Sequence, residues 1–209
     1  MTTTESPTGR IDFTMMYLTH EAFRRDLDRL RDAVAEGRAG SAGVQAGWRN
    51  FKRQLDVHHT VEDEALWPRV QAAAAGRSDA AEILAAMAAE HGRLDSLLAA
   101  VDEAMAQGSA ALPEIVAGLA AGLDGHMRHE EEAALPLIQD LLEPKDWAEF
   151  SKAMARKQKF SGAAMYVPWV LDGATDEQRA AFFHVMPAPV KVVNRLLWEG
   201  RYHARRPWA

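Results

Sequence analysis

HHTVEDEALWP (58–68) aligns without gaps on HMRHEEEAALP (126–136). His58 falls on His126, Glu62 on Glu130, Glu64 on Glu132, Ala65 on Ala133 and Pro68 on Pro136, while Asp63 and Glu131 match in charge. In an α-helix, positions i and i+4 share a face one turn apart. Each stretch therefore aims an imidazole and a carboxylate in one direction. Each is also preceded by a segment with one histidine on its apolar row: His20 lies 38 residues before His58, and His91 lies 35 before His126. The chain reads as two related helix pairs.

Four apolar rows extend outward from these histidines. The first is Phe13, Met16, His20, Phe23, Leu27, Leu30, Val34, and the second is Val44, Trp48, Phe51, Leu55, His58, Glu62, then Ala65 or Leu66. The third is Leu84, Met87, His91, Leu94, Leu98, Val101, Met105. The fourth is Ile115, Leu119, Leu123, His126, Glu130, Ala133, Leu137, Leu141. Steps of three and four are the seam of a helix packed in a bundle. Helices are expected over about 14–36, 41–75, 78–107 and 112–142. GRAGS (37–41), AGRS (75–78) and QGS (107–109) supply glycine stops and serine caps between them. Short connections make consecutive helices antiparallel, and strand-like sequence is almost absent. The expected fold is all-α, an antiparallel up-down four-helix bundle. Pro68 and Pro136 fall inside two of the helices and should kink them at the same depth, or else end them there.

The histidines share a level. In a helical hairpin, residues equidistant from the turn sit at equal height. The midpoint of His20 and His58 is 39, that of His58 and His91 is 74.5, and that of His91 and His126 is 108.5. All three fall at or beside an expected turn. This places the four imidazoles in one layer, roughly 25 Å from the bundle ends at a helical rise of about 1.5 Å per residue.

A layer of four imidazoles and two carboxylates inside a bundle requires a compensating positive charge, because burying an unpaired carboxylate is very costly. Bound metal supplies it. Imidazole with carboxylate suits iron, manganese or zinc better than magnesium or calcium. The expected ligands are His20, His58, Glu62, His91, His126 and Glu130. If both glutamates bridge two ions, each ion receives two histidines and two carboxylate oxygens. His59 and His129 lie beside the rows and are read as surface groups or outer partners of the ligands, with ligation the lesser alternative.

Composition narrows the rest. The chain has 209 residues, a net charge of −6 and no cysteine. Thiolate sites, disulfides and iron–sulfur clusters are excluded, and general nucleic-acid binding is disfavoured. No apolar run approaches the roughly 18 residues of a membrane span, so no membrane partner is expected. The start, MTTTESPTGR, lacks the pattern of a signal peptide, which points to the cytoplasm. Residues 1–12 read as a disordered lead-in, 13–142 as the bundle and 143–209 as a helical extension packed on it. The extension is expected to consist of shorter helices broken at Gly162, Pro168, Gly173, Pro187 and Pro189, with helices over 176–185 and 190–198. Its four tryptophans, at 147, 169, 198 and 208, argue for packing against the bundle. The basic end, with Arg195, Arg201, Arg205 and Arg206, reads as solvated surface.

The residues His20, His58-His59-Thr60-Val61-Glu62-Asp63-Glu64, Glu90-His91 and His126 to Glu130 resemble the hemerythrin-like family, the HHE cation-binding domain, in its bacterial and actinobacterial form. The resemblance spans about residues 13–142. It implies a non-haem pair of iron ions with an oxo or hydroxo bridge, and small-molecule partners: oxygen, hydrogen peroxide or nitric oxide. A role in stress response or iron handling, with a weak peroxide-decomposing activity, is one implied function. An iron or oxygen sensor that signals through the extension to a protein partner is the alternative. Oxygen-carrying members use five histidines, whereas the rows here offer four. His59, His129 or another group would have to fill the fifth place. That departure points away from reversible oxygen carriage. A ferritin-like oxidase is less favoured, since such sites are richer in carboxylates.

Overall fold

A computed structural model describes residues 10–209. No strand occurs among them. The helices are α1 (Thr14–Ala35), α2 (Ala42–Val61), α3 (Trp67–Ala73), α4 (Ser78–Gln107), α5 (Leu112–His129), α6 (Leu135–Leu141), α7 (Pro144–Leu171), α8 (Asp176–Val185), α9 (Ala188–Val193) and α10 (Glu199–Ala204). Two five-residue π-helical turns, Glu62–Leu66 and Glu130–Ala134, join α2 to α3 and α5 to α6. The four arms of the bundle are thus α1, α2–α3, α4 and α5–α6.

The arm boundaries follow local chemistry. Gly37, Gly76 and Gly108 take positive φ (70°, 87° and 60°) and stop the first three arms. Ser41 caps α2 by accepting the Val44 N–H at 3.2 Å. Ser78, expected as a cap, is instead the first residue of α4.

The prolines neither end the arms nor act alone. Pro68 and Pro136 each follow a π turn by two residues, and the helix continues beyond them. An α-helical proline would press its ring against the carbonyl four residues back and leave that acceptor without a partner. The widened turn relieves this: Trp67 N–H bonds to the Glu62 carbonyl and Leu135 N–H to the Glu130 carbonyl. The extra residue advances the buried face by one position. Ala134, rather than the expected Ala133, is therefore fully buried. In the second arm Ala65 and Leu66 are both buried.

The site layer divides the apolar core in two. On one side lie Phe23, Leu27, Leu30, Trp48, Phe51, Leu94, Leu119 and Leu123. On the other lie Met16, Val61, Leu66, Met87, Leu135 and Ile138. Of the expected lead-in, residues 1–9 lie outside the described residues. Ile11 is buried, and its N–H is held by the Gln139 side chain at 3.2 Å.

After Leu142 the chain departs from the expectation of short helices. α7 runs 28 residues, through both Gly162 and Pro168. Its one break is Lys159 (φ 56°, ψ 172°), a backbone position that costs about 1–3 kcal/mol outside glycine. Buried Gln158, which donates to Gln54 Oε1 of α2 at 2.6 Å, is held just before that break. α8 matches its expected span, while the last helix begins at Ala188, passes a π turn at Asn194–Trp198 and ends at Ala204. Trp169, Val170, Leu171, Phe182, Trp198 and Tyr202 join the bundle core around Phe23 and Trp48.

The end of the chain returns to the first interhelical turn. Trp208 N–H donates to the Gly43 carbonyl at 2.8 Å, and the Trp208 ring lies against Gly47. A Cβ at Gly47 would stand 2.4 Å from that ring. Gly47→Ala should therefore displace Trp208 and cost about 1–3 kcal/mol of stability. Thermal denaturation followed by circular dichroism checks this, and an unchanged midpoint would contradict it.

Candidate metal centre

The bundle carries its histidines to one level, as the spacing predicts. His20 from α1, His58 and His59 from α2, His91 from α4 and His126 from α5 are all buried, as are Glu62 and Glu130 at the starts of the two π turns. Their donor atoms form two groups. His59, His91 and His126 bring one nitrogen each within 4.8 Å of one another, and His20, His58 and Glu130 do the same. Glu62 stands between the groups. Its Oε1 is 3.1 Å from His58 Nε2, and its Oε2 is 3.6 Å from His91 Nε2. Glu130 Oε2 lies 3.2 Å from His20 Nε2.

His59 was expected at the surface or as an outer partner; it is 7% exposed and faces the interior. Successive helical residues point about 100° apart, so the two side chains straddle the axis of the bundle. His58 turns toward α1, where its ring meets His20 (centroids 5.3 Å apart). His59 turns toward α4 and stacks on His91 (4.0 Å, 12° between planes). In place of two histidines on each side, the structure sets three against two. The repeat carried the signal: His59 aligns with Met127, which is buried. His129 aligns with Val61 and stays outside the cluster, with Nδ1 on Glu90 at 2.9 Å.

Carboxylates behind the imidazoles fix their orientation. His20 Nδ1 is 2.7 Å from Glu131 Oε1, His91 Nδ1 is 3.0 Å from Asp63 Oδ1, and His126 Nδ1 is 2.9 Å from Glu90 Oε2. Each contact pins Nδ1 and leaves Nε2 facing inward. Arg24 holds Glu131 with two hydrogen bonds of 3.0 Å. The acidic residues beside the two His and Glu motifs thus include Asp63 and Glu131 as ring holders. Glu64 instead sits outside, 3.5 Å from Lys157.

Electrostatics show how uncomfortable this cluster is as protein alone. Burial, with the Glu130 and Asp63 charges, pushes the Glu62 carboxyl well above its ordinary range. Burial raises Glu130 too, but His20, His58 and His126 outweigh it and bring the group down to about 2. Burial and neighbouring imidazoles lower His58 to about 3 and His59 well below its usual value. Burial also lowers His20, but the adjacent Glu130 and Glu131 carboxylates win and raise it. Neutral imidazoles at neutral pH are the form that binds metal. Although Glu62 and Glu130 stand close to His58 and His20, those contacts are not aligned as hydrogen bonds: His59 Nε2, His91 Nε2, His126 Nε2 and both oxygens of Glu62 and of Glu130 are buried without a hydrogen bond. Buried polar atoms are normally satisfied. Seven orphans converging on one layer fit a set of metal ligands.

The family model of the hemerythrin HHE cation-binding domain matches residues 12–138. The chain belongs to that family. No curated protein and no solved structure gives a significant match. The hemerythrin HHE domain is a helical metal-binding domain, usually of iron, and the matched span coincides with the four arms that converge on the histidine layer.

Within this HHE domain the outer carboxylates carry a prediction. Glu90→Gln keeps size but weakens the hold on His126 and His129. It should lower iron affinity by roughly 10–100-fold while leaving the fold intact. Competition against a chelator, with circular dichroism alongside, checks it; unchanged affinity would refute the orienting role of Glu90.

Proposed function

We propose that this HHE domain holds two iron ions, one at His59, His91 and His126 and one at His20 and His58. Glu62 and Glu130 serve both. The observation that carries this reading is the position of Glu62, whose two oxygens face histidines of different groups. Iron held by these residues would supply electron transfer and the capacity to bind oxygen, peroxide or nitric oxide. The protein's own part is to orient three of the five imidazoles, His20, His91 and His126, through outer carboxylates and to exclude bulk water with Phe23, Met87 and Leu66. A role in stress response or iron handling, with weak peroxide decomposition, follows from that chemistry, and a five-histidine set removes the objection to oxygen binding raised by four.

Metal analysis and an optical spectrum of freshly purified protein test the reading. About two irons per chain and an oxo-bridge charge-transfer band are expected, in line with the donor set. A single zinc ion, or iron retained in full by His58→Ala, would overturn it. The sensor reading has its own support. Phe23 lies between His58 (5.6 Å) and Trp169 of α7 (5.1 Å), so the extension packs one ring away from the site. Proteolysis of residues 143–209 that responds to iron loading would favour it, and equal cleavage with and without iron would count against it.

A further inference from the structure

Six large apolar side chains are exposed among the described residues, and five of them fall between 160 and 197: Phe160, Val185, Val192, Leu196 and Leu197. Scattered exposed apolar residues are ordinary, but a cluster is not. The helix spanning 188–204 is tied to α7 by the ring of Phe160, which sits 5.5 Å from that of Trp198. Its inner face is Asn194, Trp198 and Tyr202, all buried. The outer face repeats a second pattern: Val192 and Leu196, one turn apart, alternate with Lys191 and Arg195, also one turn apart. Core packing accounts for the inner face and leaves the outer one unexplained. Leu196, 71% exposed, is its most protruding member, and Phe160 of α7, 74% exposed, stands beside the same helix at Trp198.

The charge around this face is lopsided. Residues 143–209 carry eleven Lys and Arg against seven Asp and Glu, a net +4, so the first 142 residues carry −10 of the chain's −6. Among the described residues, Arg156, Lys159, Lys191, Arg195 and Arg201 make no salt bridge, although they flank Phe160 and the outer face in sequence. Lys191 lies 5.8 Å from the centre of the Phe183 ring, and none of the five is neutralised by a carboxylate. Apolar side chains interleaved with such cations on an exposed helix are the chemistry of a surface that lies on anionic lipid. A two-fold contact between copies would set these like charges against each other. Among the described residues no helix is long and apolar enough to cross a membrane, which bears on spanning and not on lying at the surface.

We propose that the outer face of the extension, Phe160 with Val192, Leu196 and Leu197 and the cations beside them, docks the protein reversibly on an anionic bilayer surface. The apolar side chains enter the headgroup region and the Lys and Arg groups stay with the lipid phosphates. This is independent of what the metal centre does.

Co-sedimentation of the full chain with vesicles tests it. The protein should pellet with vesicles of equal phosphatidylcholine and phosphatidylglycerol, stay in solution with pure phosphatidylcholine, and be released by salt. Lys159→Ala with Arg195→Ala should lower the partition constant by about fivefold per residue. Phe160→Ser with Leu196→Ser should abolish pelleting even at low salt. All four positions are exposed, and unchanged circular dichroism verifies that the variants fold. Equal binding to both vesicle types, no binding to either, or binding untouched by the substitutions would overturn the proposal. So would a concentration-dependent dimer in size-exclusion chromatography that Phe160→Ser and Leu196→Ser dissolve, because the face would then belong to a second copy.

Discussion

Alanine at His59 should cost the protein its iron while leaving it folded. The substitution removes one of three nitrogens from the His59, His91 and His126 group. A missing ligand cannot be replaced by a shift of the others, because His91 and His126 are held from behind by Asp63 and Glu90. The fall in affinity should exceed the roughly 10–100-fold that loss of an outer partner produces. His129→Ala is the matched control. It removes only a partner of Glu90, so its effect should stay within that range. Without metal, His59 Nε2 has no hydrogen bond to lose, and the metal-free melting temperature should move by only a few degrees, in keeping with about 1 kcal/mol. Iron content by mass spectrometry, chelator competition and thermal melts of the metal-free forms separate these effects. If His59→Ala binds iron like the parent, the three-nitrogen group is not a ligand set. If the metal-free variant fails to fold, the residue's role is packing.

That one residue marks the limit of what the sequence discloses. Apolar rows interrupted by His20, His58, His91 and His126 are legible because a periodicity of three and four fixes one face of each helix, and the hairpin midpoints fix their height. A helix facing two neighbours presents two adjacent positions to the interior, however, and a single row counts only one of them. His59 escapes for that reason, although its alignment with buried Met127 was visible. The π turns escape for another. They arise from the need to fit Pro68 and Pro136 into continuing helices, and nothing in a three-and-four pattern announces an inserted residue. The outer carboxylates are harder still. Asp63, Glu90 and Glu131 are chemically like Glu64 and Glu132, and only the placement of neighbouring arms decides which of them reach an imidazole. In the extension, Gly162 and Pro168 mark breaks that tertiary packing overrides: Gly162 lies where Gln158 and Arg53 crowd in, and Pro168 sits in a buried segment held by Trp169.

Trp169→Ala should produce the largest loss of stability of any single change in the extension, and it should do so throughout the molecule. The indole is fully buried, packs 5.1 Å from Phe23 and donates its N–H to Asp26 Oδ2 at 2.7 Å. Truncating a buried tryptophan typically costs about 3–5 kcal/mol. The N–H also supports a carboxylate with no exposure, whose pKa burial raises against the opposing pull of Arg25, Trp169 and Arg29. Trp169→Phe keeps most of the volume and removes that donor, so it isolates this contribution at about 1–3 kcal/mol. For a chain of this length the alanine variant should melt about 10 °C below the parent. Because Trp169, Val170, Leu171 and Phe182 share one apolar cluster with Phe23, Leu27 and Trp48, the loss should appear as one transition, detected alike by far-ultraviolet dichroism and by release of bound iron. Two separate transitions, with iron retained through the first, would show that residues 143–209 melt as an independent appendage. They would also remove the physical basis for any signal passing from the histidine layer to the extension, since a part that detaches without disturbing the ligands cannot report on them.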